Sequence, residues 1–245
     1  MNLNRRKMLG LLGAAAVTLL SGCGPGSPFP RWWRRLWSRK PAAASIPPCI
    51  VRPEQMEGPY FVDERLNRSD IRSDPSDGRV KEGAPLRLAV RVHEMRGNAC
   101  APLAGVMVDL WHCDALGVYS DVRDDGFDTR GKKFLRGYQM TNGEGVAQFL
   151  TIYPGWYPGR TVHIHFKIRT NPASRRGEEF TSQIYFDDAV SDRVHAEAPY
   201  NAQDRRRSRN EQDGFFQDGG EELMLPLSPA AGGYAGTFDI GLQLT

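Results

Sequence analysis

The chain of 245 residues predicts an all-β fold, a sandwich of mostly antiparallel strands. Three observations carry that expectation. Short segments alternate apolar and polar residues, no long apolar repeat of period 3.6 occurs, and Gly, Pro and Asn separate the segments. Several short strands joined by such turns argue for a sandwich or barrel over an α/β fold.

The elements follow in chain order. Residues 1–23 read as an address. Asn4 to Leu9 (NRRKML) is a paired-arginine start similar to a twin-arginine export signal, and the apolar run Leu9 to Leu20 is too short for an ordinary membrane helix. Leu20-Ser21-Gly22-Cys23 is similar to a lipobox, which would make Cys23 the lipid-bearing N-terminus; a plain cleaved signal is the other reading. Residues 24–48 form a tether rich in Pro, Gly, Ala and Ser. Its Trp32, Trp33, Arg34, Arg35 and Trp37 suit a membrane surface beside a lipid anchor, and equally a solvated linker. The expected localisation is an exported, membrane-anchored protein facing the periplasm or the cell exterior.

Residues 49–245 read as a single domain. Residues 1–48 hold eight Lys and Arg and no acid, so the remainder carries 32 − 8 = 24 basic against 29 acidic residues, a net charge of −5. A mildly acidic body speaks against nucleic-acid binding. Leu86 to Val92 alternates as a half-buried strand does. In Gly105 to Cys113, Val106, Val108 and Leu110 share one face, and Met107, Asp109 and Trp111 the other. Val146 to Ile152, Val162 to Ile168, Ser182 to Phe186 and Gly236 to Leu244 continue the pattern, with Asn142-Gly143 as a turn. Asp187 to Arg209 is polar and charged, as short helical turns outside the sheets would be. Export implies an oxidising compartment. With Cys23 lipidated, Cys49 and Cys100 are expected to staple the N-terminal segment to the sandwich, leaving Cys113 buried as a free thiol; no Cys-x-x-Cys spacing suggests zinc.

Chemistry concentrates in Tyr153 to Phe166 (YPGWYPGRTVHIHF). On a strand His163 and His165 project side by side, opposite Ile164 and Phe166, and two such imidazoles can reach one metal. Alone, the pair is also what an exposed polar strand face shows. Tyr157 precedes it in a Pro/Gly turn able to fold back over the strand start. A phenol of pKa near 10 coordinates well only to a strongly Lewis-acidic ion, so tyrosine with histidine points to non-haem Fe(III). Turn packing is the plainer use of Tyr153 and Tyr157.

The segment resembles the metal-binding core of the intradiol ring-cleavage dioxygenases, the protocatechuate and catechol dioxygenase superfamily. The resemblance extends over roughly residues 50 to 190. It is carried by Pro53 to Phe61 (PEQMEGPYF), Pro102 to Ser120 (PLAGVMVDLWHCDALGVYS), Phe134 to Gly137 (FLRG) and Thr141 to Gly145 (TNGEG), while the last fifty residues add little. It implies a sandwich whose long loops form a non-haem Fe(III) site with Tyr119, Tyr157, His163 and His165 as ligands. It implies further that Arg160 and Gln183 are active-site residues and that Tyr60 lines the pocket. The implied substrates are a catechol and dioxygen, cleaved between the two hydroxylated carbons to a cis,cis-muconate-type product. Tyr157 would be the ligand that leaves the iron with a catechol proton, and Arg160 the cation near developing negative charge. Two departures stand out: only Pro158-Gly159 separate Tyr157 from Arg160, and the address and tether leave no room for the helical dimerisation region of the catechol-specific branch. A rival class, an exported sandwich that binds or supports without catalysis, shares the fold.

Overall fold

The computed structural model describes residues 49–97, 99–172, 177–203 and 208–244. The expectations for residues 1–23 and 24–48 lie outside the described residues.

Among the described residues eleven strands and two short α-helices follow in order: β1 (Pro85–Arg96), β2 (Ala99–Pro102), β3 (Met107–Trp111), β4 (Arg123–Asp124), β5 (Phe127–Asp128), β6 (Arg136–Met140), β7 (Val146–Ile152), β8 (His163–Arg169), β9 (Glu179–Tyr185), α1 (Asp188–His195), α2 (Gly214–Gln217), β10 (Leu227–Ala230) and β11 (Gly233–Leu242). One sheet centres on β1, which pairs in parallel with β11 along one edge and antiparallel with β7 and then β2 along the other; β10 extends it beyond β11. The second sheet has the antiparallel order β6-β3-β8-β9, and β4-β5 is a small separate hairpin. The expected all-β sandwich is therefore the fold, with one parallel pair between the first and last long strands.

Period-two burial explains why the sheets stack. Leu86, Leu88, Val90 and Val92 of β1, Phe149 of β7, and Phe238 and Ile240 of β11 form one core with Val108 and Leu110 of β3, Ile164, Phe166 and Ile168 of β8, and Ile184 of β9. Burying each such side chain contributes about 1.5–3 kcal/mol. Strand boundaries differ from the sequence reading where pairing, not pattern, sets the end. β9 begins at Glu179 because it pairs with Arg169. β1 runs on to Arg96 because β2 supplies antiparallel partners to residue 99.

The second sheet has no exposed face at β8, where all seven residues are buried. Residues 53–68 run across its outer side. Along the way the Gln55 amide donates to the Thr181 carbonyl at 3.0 Å, Ser182 Oγ to the Pro53 carbonyl at 2.7 Å, and Gln183 Nε2 to the Met56 carbonyl at 3.3 Å. Phe61 packs on Trp111 with centroids 4.8 Å apart, and Arg68 Nε donates to the Arg136 carbonyl at 2.9 Å. Cys49 and Cys100, 51 residues apart, form a disulfide with Cα atoms 5.6 Å apart, and Cys113 is free and buried. Closing a loop of that length contributes about 4 kcal/mol in the chain-entropy picture.

Candidate metal and active site

Strand β8 sets the floor of the site. His163 and His165, two residues apart, point away from the core onto the covered outer face. The neighbours in register finish the floor: Trp111 of β3 and Gln183 of β9 both lie opposite His165. The Trp111 and His165 rings stack at 5.1 Å with planes 8° apart, which fixes the imidazole in one orientation.

Two loops supply the phenols. Tyr119 follows β3, and Tyr157 sits in the turn before β8. These loops pack directly against each other because glycines stand where they meet. A Cβ on Gly117 would come within 2.3 Å of the Trp156 carbonyl oxygen, and one on Gly155 within 2.4 Å of the Asp114 carbonyl oxygen. No side chain fits at either place, so any larger residue would push the tyrosine loops apart. Tyr157 Oη consequently lies 3.1 Å from His163 Nε2, and the Tyr119 and Tyr157 rings meet edge to face at 5.7 Å. Tyr153, in the same turn, instead packs on Phe186 and bonds Ser191 Oγ at 2.7 Å, so of the two turn tyrosines only Tyr157 faces the histidines.

Three potential ligand atoms converge. His163 Nε2 and His165 Nε2 are 3.1 Å apart, and Tyr157 Oη is 3.1 Å from the former. The Thr161 carbonyl oxygen, 2.6 Å from His163 Nδ1, can only accept, so that ring carries its proton on Nδ1 and presents a lone pair at Nε2. That one lone pair faces Tyr157, His165 and, at 3.4 Å, Arg160 Nη1, more donors than it can serve. Tyr119 Oη and His165 Nδ1 are buried without a hydrogen-bond partner. Burial, with Arg160 next, pushes His163 down to about 3; burial, with His163 next, holds His165 well below its ordinary value. Burial also pushes Tyr157 up to about 12, against the pull of Arg160, and raises Tyr119.

These groups fit a trivalent or other strongly Lewis-acidic ion. Donor atoms about 3 Å apart match neighbouring ligands on an ion with bonds of about 2.1 Å. Both imidazoles are neutral, as ligands must be, and the partnerless Tyr119 oxygen is a buried acceptor in waiting. Among the described residues no three His, Cys, Asp or Glu side chains cluster for a metal, so an ion here has to use the phenols.

Around this donor set lies a second ring of side chains. Arg160 Nη2 donates to Gln183 Oε1 at 2.5 Å, and its guanidinium lies over the Phe215 ring at 4.5 Å. Asp213 Oδ2 accepts from Arg160 Nε at 2.9 Å and from the Thr161 amide at 2.8 Å, while its Oδ1 caps α2 through the Phe215 amide. Burial would lower the Arg160 pKa, but Tyr157 and Asp213 more than offset it. Tyr60 stacks on Tyr119 at 4.4 Å, stands edge-on to Tyr157 at 6.2 Å, and donates its hydroxyl to Asp124. All of Tyr60, Tyr119, Tyr157, Arg160, His163, His165 and Gln183 are thus in one place. Cys23 lies outside the described residues. Sequence reasoning missed Asp213, Trp111 and Asp124. Asp213 caps α2, and nothing local in the sequence indicates that it reaches Arg160.

The dioxygenase family matches residues 56–199 of the chain. The protocatechuate 3,4-dioxygenase beta chain of Burkholderia cepacia is 33% identical over 192 residues, spanning 72% of this chain and 78% of its own. An intradiol ring-cleavage dioxygenase of Tetranychus urticae superposes with a TM-score of 0.68 at 32% identity, over 80% of this chain and 95% of that one. The dioxygenase domain of a dioxygenase–carbohydrate-binding fusion from a Streptomyces species does so at 0.57 and 31%, over 80% and 99%. Against curated chlorocatechol and catechol 1,2-dioxygenases, the chain spans about half of their length. With the family match covering more than half of the chain, and the fold, the strand order and the tyrosine–histidine cluster all in place, the protein belongs to the intradiol ring-cleavage dioxygenases.

Proposed function

We propose that the protein cleaves a catechol-type ring between its two hydroxylated carbons with dioxygen, giving a cis,cis-muconate-type product, and that non-haem Fe(III) is held by Tyr119, Tyr157, His163 and His165. The observation that carries this reading is the convergence of Tyr157 Oη, His163 Nε2 and His165 Nε2 beside the partnerless, buried hydroxyl of Tyr119. When bound, ferric iron would draw electron density from a chelated catecholate and open its ring to dioxygen.

The chain's own residues divide the remaining work. A catechol must lose two protons to chelate, and Tyr157 is placed to take one. It is only half-buried, on a turn whose Pro158 and Gly159 are exposed, whereas Tyr119 is 1% exposed. The phenol with room to move is the one able to let go. With a pKa near 12 when free, Tyr157 holds a captured proton firmly at neutral pH. His163 and His165 stay put, one tied to the Thr161 carbonyl and the other stacked on Trp111. Arg160, braced by Asp213 and Gln183, presents a fixed cation where charge develops on the ring, which costs no reorganisation during reaction. Tyr60 supplies an aromatic wall. The non-catalytic sandwich remains the rival, and a lapsed site has no use for this arrangement.

Iron per chain, visible absorption and oxygen uptake over a panel of substituted catechols test the reading. Tyr157→Phe should keep iron and an altered phenolate colour while turnover falls at least about a hundredfold, as for loss of a general acid–base group. Tyr119→Phe should lose iron and activity together. Full activity in Tyr157→Phe, or wild-type protein carrying zinc, overturns the assignment.

Export as a lipoprotein through a twin-arginine-type route is part of the same reading. The ordered NRRKML, apolar run and Cys23 support it, and the Cys49–Cys100 pair suits an oxidising compartment. Unchanged membrane association of Cys23→Ala in fractionated cells would sink the anchor.

A further inference from the structure

Arg136 is the most deeply buried guanidinium near the site, at 3% exposure. Buried arginines are ordinarily matched by a carboxylate, as Arg169 is by Asp63 and Asp109. Among the described residues none forms an ion pair with Arg136. Its hydrogen bonds go instead to three neutral oxygens. Nε donates to Ser120 Oγ at 2.8 Å, Nη2 to the Ser120 carbonyl, and Nη1 to the Tyr60 carbonyl at 2.9 Å. Ser120 Oγ in turn donates to the Phe134 carbonyl at 2.6 Å, so the hydroxyl is committed on both sides.

Those three oxygens belong to the site. Ser120 directly follows Tyr119, and Tyr60 stacks on Tyr119 at 4.4 Å. One rigid fork on strand β6 therefore holds both backbones that carry the stacked rings. It does so for two segments whose gripped residues, Tyr60 and Ser120, stand 60 positions apart in the sequence. A planar guanidinium spreads its donors over three nitrogens in a fixed fork, which a single ammonium nitrogen cannot do. Its positive charge lies beside the loop whose tyrosine hydroxyl is the buried oxygen without a partner.

We propose that Arg136 is a positioning residue for the metal site: its guanidinium locks the Tyr119–Tyr60 wall, and its charge, hydrogen-bonded to neutral oxygens, supports an anionic ligand set there. The inference rests on the iron reading for its metal-dependent half and on hydrogen-bond geometry for the rest.

The test uses the full chain as wild type, Arg136→Gln and Arg136→Lys, each metal-free and iron-loaded. Near-ultraviolet circular dichroism of the metal-free protein reads the tyrosine stack without any metal. Iron retained against a chelator, and the position of the visible band, read the ligand set. Arg136→Gln should keep the far-ultraviolet β signal, lose the tyrosine signal, shift the band and hold iron about tenfold less tightly, the usual size for a residue behind a ligand. Arg136→Lys keeps the charge without the fork, so it should recover most of the iron retention but not the tyrosine signal. Wild-type dichroism and iron retention in a folded Arg136→Gln overturn the proposal. Loss of the fold in both variants also overturns it, because Arg136 would then serve the sandwich and not the site. Wild-type protein that binds no iron would overturn the iron reading, while the metal-free dichroism would still decide the positioning role.

Discussion

Four side chains of β8 point to the same outer face, and all four are buried: His163, His165, Lys167 and Arg169. The strand's two halves solve that burial in opposite ways. In the C-terminal half every charge has a partner. Lys167 pairs with Glu57 and Glu179 and lies over the Phe61 ring; Arg169 bonds Asp63 at 2.9 Å and Asp109 at 2.7 Å. In the N-terminal half no carboxylate hydrogen-bonds either imidazole among the described residues, and Asp213 is committed to Arg160 and the Thr161 amide. Paired burial is architecture. Buried lone pairs with no counter-charge are a place kept for a cation, and the difference marks the site within a single strand of seven residues.

Exchanging the two halves' behaviour by mutation gives the sharpest tests. Removing an imidazole has the largest expected effect: His163→Ala or His165→Ala should take iron content to near zero and oxygen uptake with it, while the metal-free fold survives. Iron per chain and far-ultraviolet dichroism check this, and an iron-replete alanine variant would break the comparison. Arg169→Met should do the reverse. It leaves the buried Asp109 carboxylate unpaired and should cost about 3–5 kcal/mol in denaturant unfolding, with iron per folded chain unchanged. Loss of iron at constant stability would show that the two halves are not separate.

A pH experiment on metal-free protein comes next. Both rings have folded pKa values below the ordinary value, His163 at about 3. The unfolded chain, with histidines near 6.5, therefore binds more protons between about pH 3 and 6.5, and stability must fall as pH drops through that window. Roughly 1.4 kcal/mol per pH unit is lost for each ring fully in the window. The melting temperature should fall between pH 6.5 and 5, and the slope should be shallower in His163→Ala. Asp109, pushed up to about 6, works in the opposite direction in both proteins, so an unchanged slope in His163→Ala would mean that this imidazole is not buried as a neutral ring. The smallest effect is expected at the border of the two halves. Asp213→Asn keeps an acceptor for Arg160 Nε but removes its charge, and should lower kcat/KM about tenfold, or ~1.4 kcal/mol, with iron content unchanged.

Much of this was legible before any coordinates. The alternation in Val162 to Ile168 separates Ile164 and Phe166 from His163 and His165, and the structure keeps that division. Tyr119 and Tyr157 could be singled out because phenol beside imidazole is an unusual pairing with a specific chemical use. Other features were not local at all. Nothing near Asp213 announces that it meets Arg160, 53 residues earlier. Nor does Arg136, in a short strand with no strong alternation, reveal that it grips residues 60 and 120.

Sequence alone determined which residue types alternate along each strand, because side-chain direction in an extended chain follows from its covalent geometry. It also determined that loops, with their Gly and Pro, would carry the phenols. Only the tertiary structure decided that the outer face of β8 is buried, because residues 53–68 had first to cross it and bond β9. Only packing decided which charges were matched, since Asp63 and Asp109 reach Arg169 across 106 and 60 residues of chain. Pairing at such separations depends on the whole fold closing. For that reason the ligands could be read from the sequence, but the environment that leaves them uncompensated could not.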